Sequence, residues 1–235
     1  MEHTKAFNIA IDGPAGAGKS TIARLTAGKL GFVYVDTGAM YRAIALYMLR
    51  NGVTTTDKEA VAGAVRDVTI TIRYEEGSQR VLLNGEDVSG LIRTEEVGNT
   101  ASLVSAVPAV REHLLKLQRE LAGSTDVIMD GRDIGTCILP NADVKIFLSA
   151  SSAVRAKRRY KELTEKGETC NLEKIEQDII KRDEQDANRP IAPLKRAEDA
   201  VLIDSSEMTI AEVVGAIFAE AEKKGLKLPE GALEK

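Results

Sequence analysis

Short apolar runs alternate with longer amphipathic stretches along most of the chain. Five of these runs are brief and rich in β-branched or aromatic residues, and they predict strands at residues 7–11, 32–35, 126–129, 144–148 and 200–203. Hydrophobicity within them is continuous rather than alternating. Because a strand covered on both faces has no polar side, this pattern is typical of parallel sheets.

The amphipathic stretches between these runs predict six helices. Glycine follows several of them, as at Gly31 and Gly123, and Pro108 stands in the first turn of another. The predicted helices cover residues 20–30, 40–50, 108–121, 153–166, 172–187 and 210–224. A strand–helix–strand rhythm builds right-handed βαβ units. We therefore expect an α/β fold in which helices flank a doubly wound, parallel, five-stranded sheet.

One segment breaks this rhythm. Residues 68–89 alternate with period two and contain Asn84-Gly85, a pair that favours a tight hairpin turn. We expect a small antiparallel β insert, residues 67–93, between the second and third core strands. No linker rich in Pro, Gly or Ser separates it, so residues 1–235 are interpreted as a single domain. The final segment, residues 225–235, is expected to be frayed.

The composition narrows the function classes. The chain has 32 basic and 36 acidic residues, a net charge of −4, which disfavours a dedicated nucleic-acid-binding surface. Cys137 and Cys170 are far apart, and His3 and His113 are too scattered for metal ligation. No stretch approaches the ~20 apolar residues of a membrane span, and the N-terminus has no signal-peptide pattern. We expect a cytoplasmic protein without nucleic-acid or membrane partners.

The segment GPAGAGKS, Gly13 to Ser20, fits the pattern G-x-x-x-x-G-K-[ST]. It follows a predicted strand and opens a predicted helix, which is the context that a phosphate-binding loop requires. Backbone N–H groups and the helix N-terminus would hold phosphate oxygens, Lys19 would reach the β and γ phosphates, and the Ser20 hydroxyl would ligate Mg²⁺. The predicted binding residues are Gly13, Pro14, Ala15, Gly16, Ala17, Gly18, Lys19, Ser20 and Thr21.

This loop alone does not distinguish hydrolysis from phosphoryl transfer. A switch GTPase needs the guanine-selecting pattern N/T-K-x-D, but the K-x-D at residues 181–183 is preceded by Ile180. The D-x-x-G at residues 87–90 lies in the predicted insert, far from a switch position. The sequence therefore disfavours a GTPase.

Arginines follow the predicted strands. Arg42 comes after the second strand and Arg132 after the third, while Arg182 and Arg189 flank Asp186. Ligands of open α/β sheets bind at the carboxyl ends of the strands, so these side chains are expected to face the phosphate loop. A single arginine could equally lie on a solvated helix face. Together they favour an acceptor that is itself a phosphate, because guanidinium groups neutralise two polyanions that must approach.

Seven segments carry a resemblance that extends from Ile9 to about Phe218. They are IDGPAGAGKST, DTGAMYRA, NGEDVSGLIRTEEV, VPAVREHL, MDGRDIGT, VKIFLSASSAVRAKRR and KRDEQDANRPIAPL. As a set they resemble the bacterial cytidylate kinases, which are nucleoside monophosphate kinases. Two alternatives remain: another P-loop kinase of small molecules such as UMP or AMP, and a nucleotide-dependent switch that has no acceptor.

The resemblance implies transfer of the γ-phosphate of ATP to CMP or dCMP, with Mg²⁺, in pyrimidine nucleotide metabolism. It implies catalytic roles for Lys19, Arg132, Arg182 and Arg189, and a mobile lid over ATP, residues 155–170, that includes Arg158 and Arg159. Matching positions assign the acceptor as follows: cytosine to Ser102, Arg111 and Asp133, with Thr37 near the base; phosphate to Arg42, Arg132, Arg182 and Arg189; ribose to Asp186. We expect a monomer, because no apolar stripe obviously demands a partner.

The assignment of the base agrees with hydrogen-bond chemistry. Asp133 would accept from the cytosine amino group, and Arg111 and Ser102 would donate to N3 and O2. Uracil would place an oxygen against the carboxylate, and a site whose polar groups are left unpaired rejects such a ligand. The residues alone leave another interpretation open, with Ser102 on a helix face and Arg111 paired with a neighbouring glutamate.

Overall fold

The computed structural model describes residues 6–75 and 77–232. Strands and helices alternate along them in this order: β1 Asn8–Asp12, α1 Lys19–Leu30, β2 Val33–Asp36, α2 Thr37–Arg50, α3 Lys58–Ala64, a 3₁₀ turn Val65–Asp67, β3 Ile70–Glu75, β4 Ser78–Leu83, β5 Glu86–Asp87, α4 Glu95–Val104, α5 Pro108–Ser124, β6 Val127–Gly131, a π-helical turn Ile134–Ile138, β7 Val144–Ser149, α6 Ser152–Glu165, α7 Leu172–Asn188, β8 Val201–Asp204 and α8 Ile210–Lys223.

The main sheet has five parallel strands in the order β2-β6-β1-β7-β8. The first strand lies at the centre, where Ile9 is paired with Ile128 of β6 and Val144 of β7. The carboxyl ends of β6 and β7 therefore flank the loop that follows β1. This arrangement confirms the predicted doubly wound sheet.

Helices cover both faces of the sheet. Ala10 and Met129 point to the face covered by α2, α4 and α5, where Met40 and Met48 are fully buried. Ile9, Ile11 and Ile128 point to the opposite face, covered by α1 and α8. The continuous hydrophobicity of the central strands is explained by this double covering. The edge strand β8 differs, since Leu202 is 51% exposed.

Strands β3, β4 and β5 form the predicted antiparallel insert. Asn84 and Gly85 connect β4 to β5 with φ of 49° and 89°, the left-handed backbone that this hairpin turn requires. The insert contacts the β2 edge of the main sheet. The Gln79 amide accepts from Asp36 N (2.9 Å) and donates to Asp36 O (3.2 Å). The Tyr74 hydroxyl donates to Tyr34 O at 3.2 Å.

Two features differ from the sequence-based expectation. Helices α3 and α4 were not predicted, and α4 contains Gly98, a poor helix former. The tail was expected to be frayed, but Leu226 and Leu228 pack against the α1 and α8 face, and Ala232 O accepts from Lys29 Nζ at 3.0 Å. That expectation is wrong for residues 225–232, while residues 233–235 lie outside the described part.

Within the described residues, no helix has the length and hydropathy to cross a bilayer.

Replacing Leu114 by Ala tests the hydrophobic core between the sheet and helices α2, α4 and α5. Leu114 of α5 is 1% exposed, so the change removes buried methyl groups and leaves a cavity. We expect the free energy of unfolding to fall by about 2–5 kcal/mol, measured by urea denaturation. Leu25→Ala is the matched control, because Leu25 of α1 is 41% exposed and its loss should cost roughly 0.5 kcal/mol. Equal losses in the two variants would contradict this description of the core.

Candidate active site

The loop after β1 adopts a conformation that requires glycine. Gly13 has φ of 149°, and a Cβ there would lie 2.0 Å from the carbonyl oxygen of Leu148. Gly16 and Gly18 have φ of 76° and 85°. Helix α1 begins at Lys19, and its N-cap Gly18 supplies no side-chain acceptor. The first N–H groups of α1 are therefore left for an anion.

Lys19 is buried beneath this loop, and its Nζ donates to Pro14 O at 2.7 Å. Burial, followed by the positive charge of Arg132, lowers the pKa of Lys19 from 10.5 to about 7. The charges of Asp130 and Asp12 oppose this shift. A phosphate would supply the negative charge that restores the ammonium form.

Asp130 ends β6 beside the loop, and the sequence analysis did not assign it a role. Its carboxylate accepts from Ser20 Oγ at 2.9 Å and from the Tyr34 hydroxyl at 3.0 Å. Burial, followed by the charge of Asp36, raises the pKa of Asp130 to about 6. Its sequence signal is an apolar run that ends in aspartate, the pattern of the strand that supplies the second metal ligand in P-loop proteins.

Ser20 and Asp130 fit a magnesium ion. Both supply oxygen ligands, their side chains are in hydrogen-bond contact, and Ser20 is exposed at the start of α1. Mg²⁺ is usually bound through one or two such protein ligands together with waters and substrate phosphates. The predicted metal role of Ser20 is compatible with this geometry.

Asp12, for which no role was predicted, connects the end of β1 to the π-helical turn Ile134–Ile138 by hydrogen bonds. Its two carboxylate oxygens accept from the backbone N–H groups of Ile134 and Gly135 at 2.7 and 2.8 Å. Burial raises the pKa of Asp12 to about 6. This contact fixes the residues just before the turn, Arg132 and Asp133, relative to the phosphate loop.

Three predicted residues meet around the carboxylate of a fourth, Asp186 on α7. Arg132 Nε donates to its Oδ2 at 3.0 Å, Ser102 Oγ donates to its Oδ1 at 3.4 Å, and Arg189 Nη1 lies 3.9 Å from Oδ1. Burial opposes ionisation of Asp186, but the charge and hydrogen bond of Arg132 outweigh it and lower its pKa. The structure therefore brings Ser102, Arg132, Asp186 and Arg189 together.

The arginines of this cluster are not fully satisfied by protein acceptors. Arg182 Nε and Arg189 Nη2 are buried and have no hydrogen-bond partner among the described residues. Burial lowers the pKa of both side chains; for Arg182 the charge of Arg132 adds to this effect. Arg42 donates only to the carbonyl oxygens of Ile92 and Thr94, at 3.2 and 3.4 Å.

Arg42 is held against α4, and burial followed by the charge of Arg182 lowers its pKa to about 10. A Cβ on Gly98 would lie 2.9 Å from Arg42 Nη1, so the guanidinium packs directly against this glycine of α4. The cluster as a whole has an excess of buried positive charge. Such an excess fits a phosphate ligand.

Asp133 and Arg111 form a second, adjoining group. Arg111 Nη2 donates to the Asp133 carboxylate, Arg111 Nη1 donates to Ser105 O at 3.3 Å, and its guanidinium lies 5.7 Å from the Tyr41 ring centroid. Arg189 Nη2 is 3.7 Å from Asp133 Oδ1, which joins this group to the cluster around Asp186. Burial raises the pKa of Asp133.

Thr37 lies at the start of α2, where its buried hydroxyl donates to Asp130 O at 2.8 Å. The structure thus places Thr37 against the end of β6. Its oxygen keeps a lone pair for a ligand donor.

The two predicted lid arginines lie apart from each other. Arg158 Nη2 donates to Ser205 O at 2.7 Å, just beyond β8, whereas Arg159 pairs with Glu162 at 2.8 Å along α6. Arg155, the first residue of the predicted lid segment, contacts the phosphate loop directly. Its Nη1 donates to Ala15 O at 2.9 Å, and its Nη2 donates to Asp183 Oδ2 at 2.6 Å. Its signal was its position in the first turn of a helix that follows a core strand.

Lys19→Met tests the desolvated ammonium. Between pH 7 and 10.5 the unfolded chain keeps the lysine proton and the folded protein loses it, so the free energy of unfolding rises with pH. The free energy of unfolding of the wild type, minus that of Lys19→Met, should increase by up to roughly 1 kcal/mol per pH unit. Urea denaturation at pH 7 and pH 9 measures this difference. Lys116→Met, at an exposed position of α5, controls for the loss of a lysine. A stability difference that is the same at both pH values would refute the interpretation.

Comparisons with known proteins agree with this geometry. The sequence model of the cytidylate kinase family matches residues 9–223. The chain is 51% identical over 218 residues to a cytidylate kinase of Lactobacillus johnsonii, an alignment covering 93% of this chain and 95% of the relative. It is 50% identical over 214 residues to a cytidylate kinase of Caldicellulosiruptor bescii, covering 91% and 95%. A solved structure of an uncharacterized protein from Eubacterium ventriosum shares the fold, with a TM-score of 0.52 at 10% identity, covering 92% of this chain and 98% of that chain. The protein belongs to the cytidylate kinase family.

Proposed function

We propose that this protein transfers the γ-phosphate of ATP to CMP or dCMP, giving ADP and CDP or dCDP. One observation carries the proposal: the phosphate loop follows β1 and Arg132 follows β6, and these two strands are paired neighbours in the sheet. A site for the donor phosphates thus borders a second cationic site. A nucleotide switch has no second polyanion to hold there.

The donor half is the loop from Gly13 to Thr21, with Lys19 on the β and γ phosphates. Arg155 already joins this loop to α6 and α7, which supports a lid over ATP formed by residues 155–170. Arg158 and Arg159 lie on the same helix and are proposed to contact ATP. When bound, Mg²⁺ would be held by Ser20 and Asp130 and would neutralise charge on the phosphates.

The acceptor half is the cluster around Asp186. Arg42, Arg132, Arg182 and Arg189 are proposed to bind the phosphate of the monophosphate, because this group retains buried N–H donors without acceptors. Asp186 would accept from a ribose hydroxyl. The insert, residues 67–93, is proposed to belong to this monophosphate-binding region, since Ile92 O near its end accepts a hydrogen bond from Arg42.

The base is proposed to bind at Asp133 and Arg111. In the ligand-free protein these side chains satisfy each other. Cytosine can replace both partners at once, because its amino group donates to Asp133 while N3 and O2 accept from Arg111 and Ser102. Thr37 would line the same pocket from the start of α2.

The reaction itself needs positioning and charge neutralisation rather than a general base. The second pKa of a phosphate monoester is about 6, so the acceptor is already a nucleophile at neutral pH. Lys19 and the arginines would bring its oxygen in line with the γ-phosphate and spread the developing charge. Closure of the lid would exclude water. We propose a monomeric, cytoplasmic enzyme whose partners are these nucleotides, without nucleic acid or membrane.

A substrate panel tests the proposal. CMP, dCMP, UMP, AMP and shikimate are each supplied with ATP and Mg²⁺, and release of ADP is measured. We expect CMP and dCMP to exceed the other acceptors in kcat/KM by roughly 100-fold, because the base site pairs each polar group of cytosine. Preference for UMP, AMP or shikimate would indicate another P-loop kinase. ATP turnover that stays flat with all five acceptors would favour a switch.

Asp133→Asn tests how the base is read. The amide can donate where the carboxylate only accepts, so the ratio of kcat/KM for CMP to that for UMP should fall by about 10- to 100-fold. Steady-state kinetics with both acceptors measure this ratio. Asp178→Asn, at an exposed position on α7, is the matched control. If Asp133→Asn lowers kcat/KM for CMP and UMP by the same factor, Asp133 does not read the base.

A further inference from the structure

The carboxylate of Asp130 is held from two sides. Ser20 Oγ donates to its Oδ2 at 2.9 Å and the Tyr34 hydroxyl donates to its Oδ1 at 3.0 Å. The residue is only 4% exposed, so solvent has little access to these oxygens. The orientation of the carboxylate therefore depends on both hydroxyl groups.

Tyr34 is well placed to act as a fixed donor. It lies on β2 opposite Ile128 of β6, and its ring packs against the face of the sheet covered by α1. The Tyr74 hydroxyl of the insert donates to its carbonyl oxygen at 3.2 Å. The Tyr34 hydroxyl donates to Asp130 from β2, the strand paired with β6, so removal of this one O–H would free one side of the carboxylate.

We propose that Tyr34 is a positioning residue for the magnesium site, which holds Asp130 in the orientation that presents Oδ2 beside Ser20. The inference rests on the proposed function, because Mg²⁺ enters with ATP. Carboxylates that ligate metals are oriented by outer hydrogen bonds, and loss of such a bond typically costs 10- to 100-fold in metal affinity.

A purely structural role for Tyr34 makes a different prediction. If its hydroxyl only satisfies a buried oxygen, its loss should lower stability and leave the effect of Mg²⁺ on nucleotide binding unchanged. If it orients a metal ligand, its loss should weaken binding of ATP specifically when Mg²⁺ is present.

The test is Tyr34→Phe, which removes the hydroxyl and keeps the ring. Calorimetry measures the affinity for ATP in excess EDTA and again at saturating Mg²⁺. We expect affinity in EDTA within about twofold of the wild type, and a gain in affinity from Mg²⁺ that is reduced by roughly 10-fold. The Mg²⁺ concentration for half-maximal turnover should rise by a similar factor, with the KM for CMP at saturating Mg²⁺ unchanged.

Tyr74→Phe is the matched control, since that hydroxyl donates to the Tyr34 backbone and not to Asp130. It should leave the Mg²⁺ dependence at the wild-type value. The inference is overturned if Tyr34→Phe keeps the wild-type gain from Mg²⁺, if ATP binds more weakly by the same factor in EDTA and in Mg²⁺, or if both variants lose the gain equally. Urea denaturation of Tyr34→Phe, which keeps the ring and its packing, verifies that the variant is folded under the conditions of the titrations.

Failure of the proposed function is distinguishable from failure of this inference. A wild-type protein that does not phosphorylate CMP would contradict the proposed function. Calorimetry without an acceptor would still report whether Tyr34 governs the Mg²⁺-dependent part of ATP binding.

Discussion

Positive charge is concentrated at one edge of the sheet, around the end of β6 and the start of α1. Lys19, Arg132, Arg182 and Arg189 are largely withdrawn from water, and their mutual repulsion and desolvation lower the pKa of Lys19, Arg182 and Arg189. Buried charges of this kind persist only when opposite charges or ligands compensate them. Carboxylates supply part of the compensation, and two phosphate-bearing substrates would supply the remainder.

The sheet topology makes this concentration possible. Because β1 lies between β6 and β7, the phosphate loop and the turn carrying Arg132 and Asp133 begin on neighbouring strands. Asp12 then fastens that turn through two backbone N–H groups. Helix α7 adds Asp186 from outside the sheet. In the proposed reaction, this arrangement would place the donor and acceptor phosphates at the ends of neighbouring strands.

Features encoded by residues close together in the sequence could be predicted, and features that depend on distant residues could not. The phosphate loop was predictable because its glycines, lysine and serine are consecutive, and the central strands because both their faces are buried. Helix α4 was missed because Gly98, a poor helix former, interrupts its pattern. Arg155 and Asp130 were missed because their partners, Ala15 and Ser20, are 140 and 110 residues away. Such contacts are visible only after the chain has folded.

The contact between the insert and β2 has a consequence for the behaviour of the protein at high concentration. An unpaired strand edge is a template on which another chain can add by main-chain hydrogen bonds. The side chains of Gln79 and Tyr74 form hydrogen bonds with outward-facing backbone groups of Asp36 and Tyr34. Another strand therefore cannot pair with these groups of β2. The opposite border is β8, with an exposed Leu202. Self-association under mild denaturing conditions would therefore begin at β8, and a charged side chain at position 202 would suppress it.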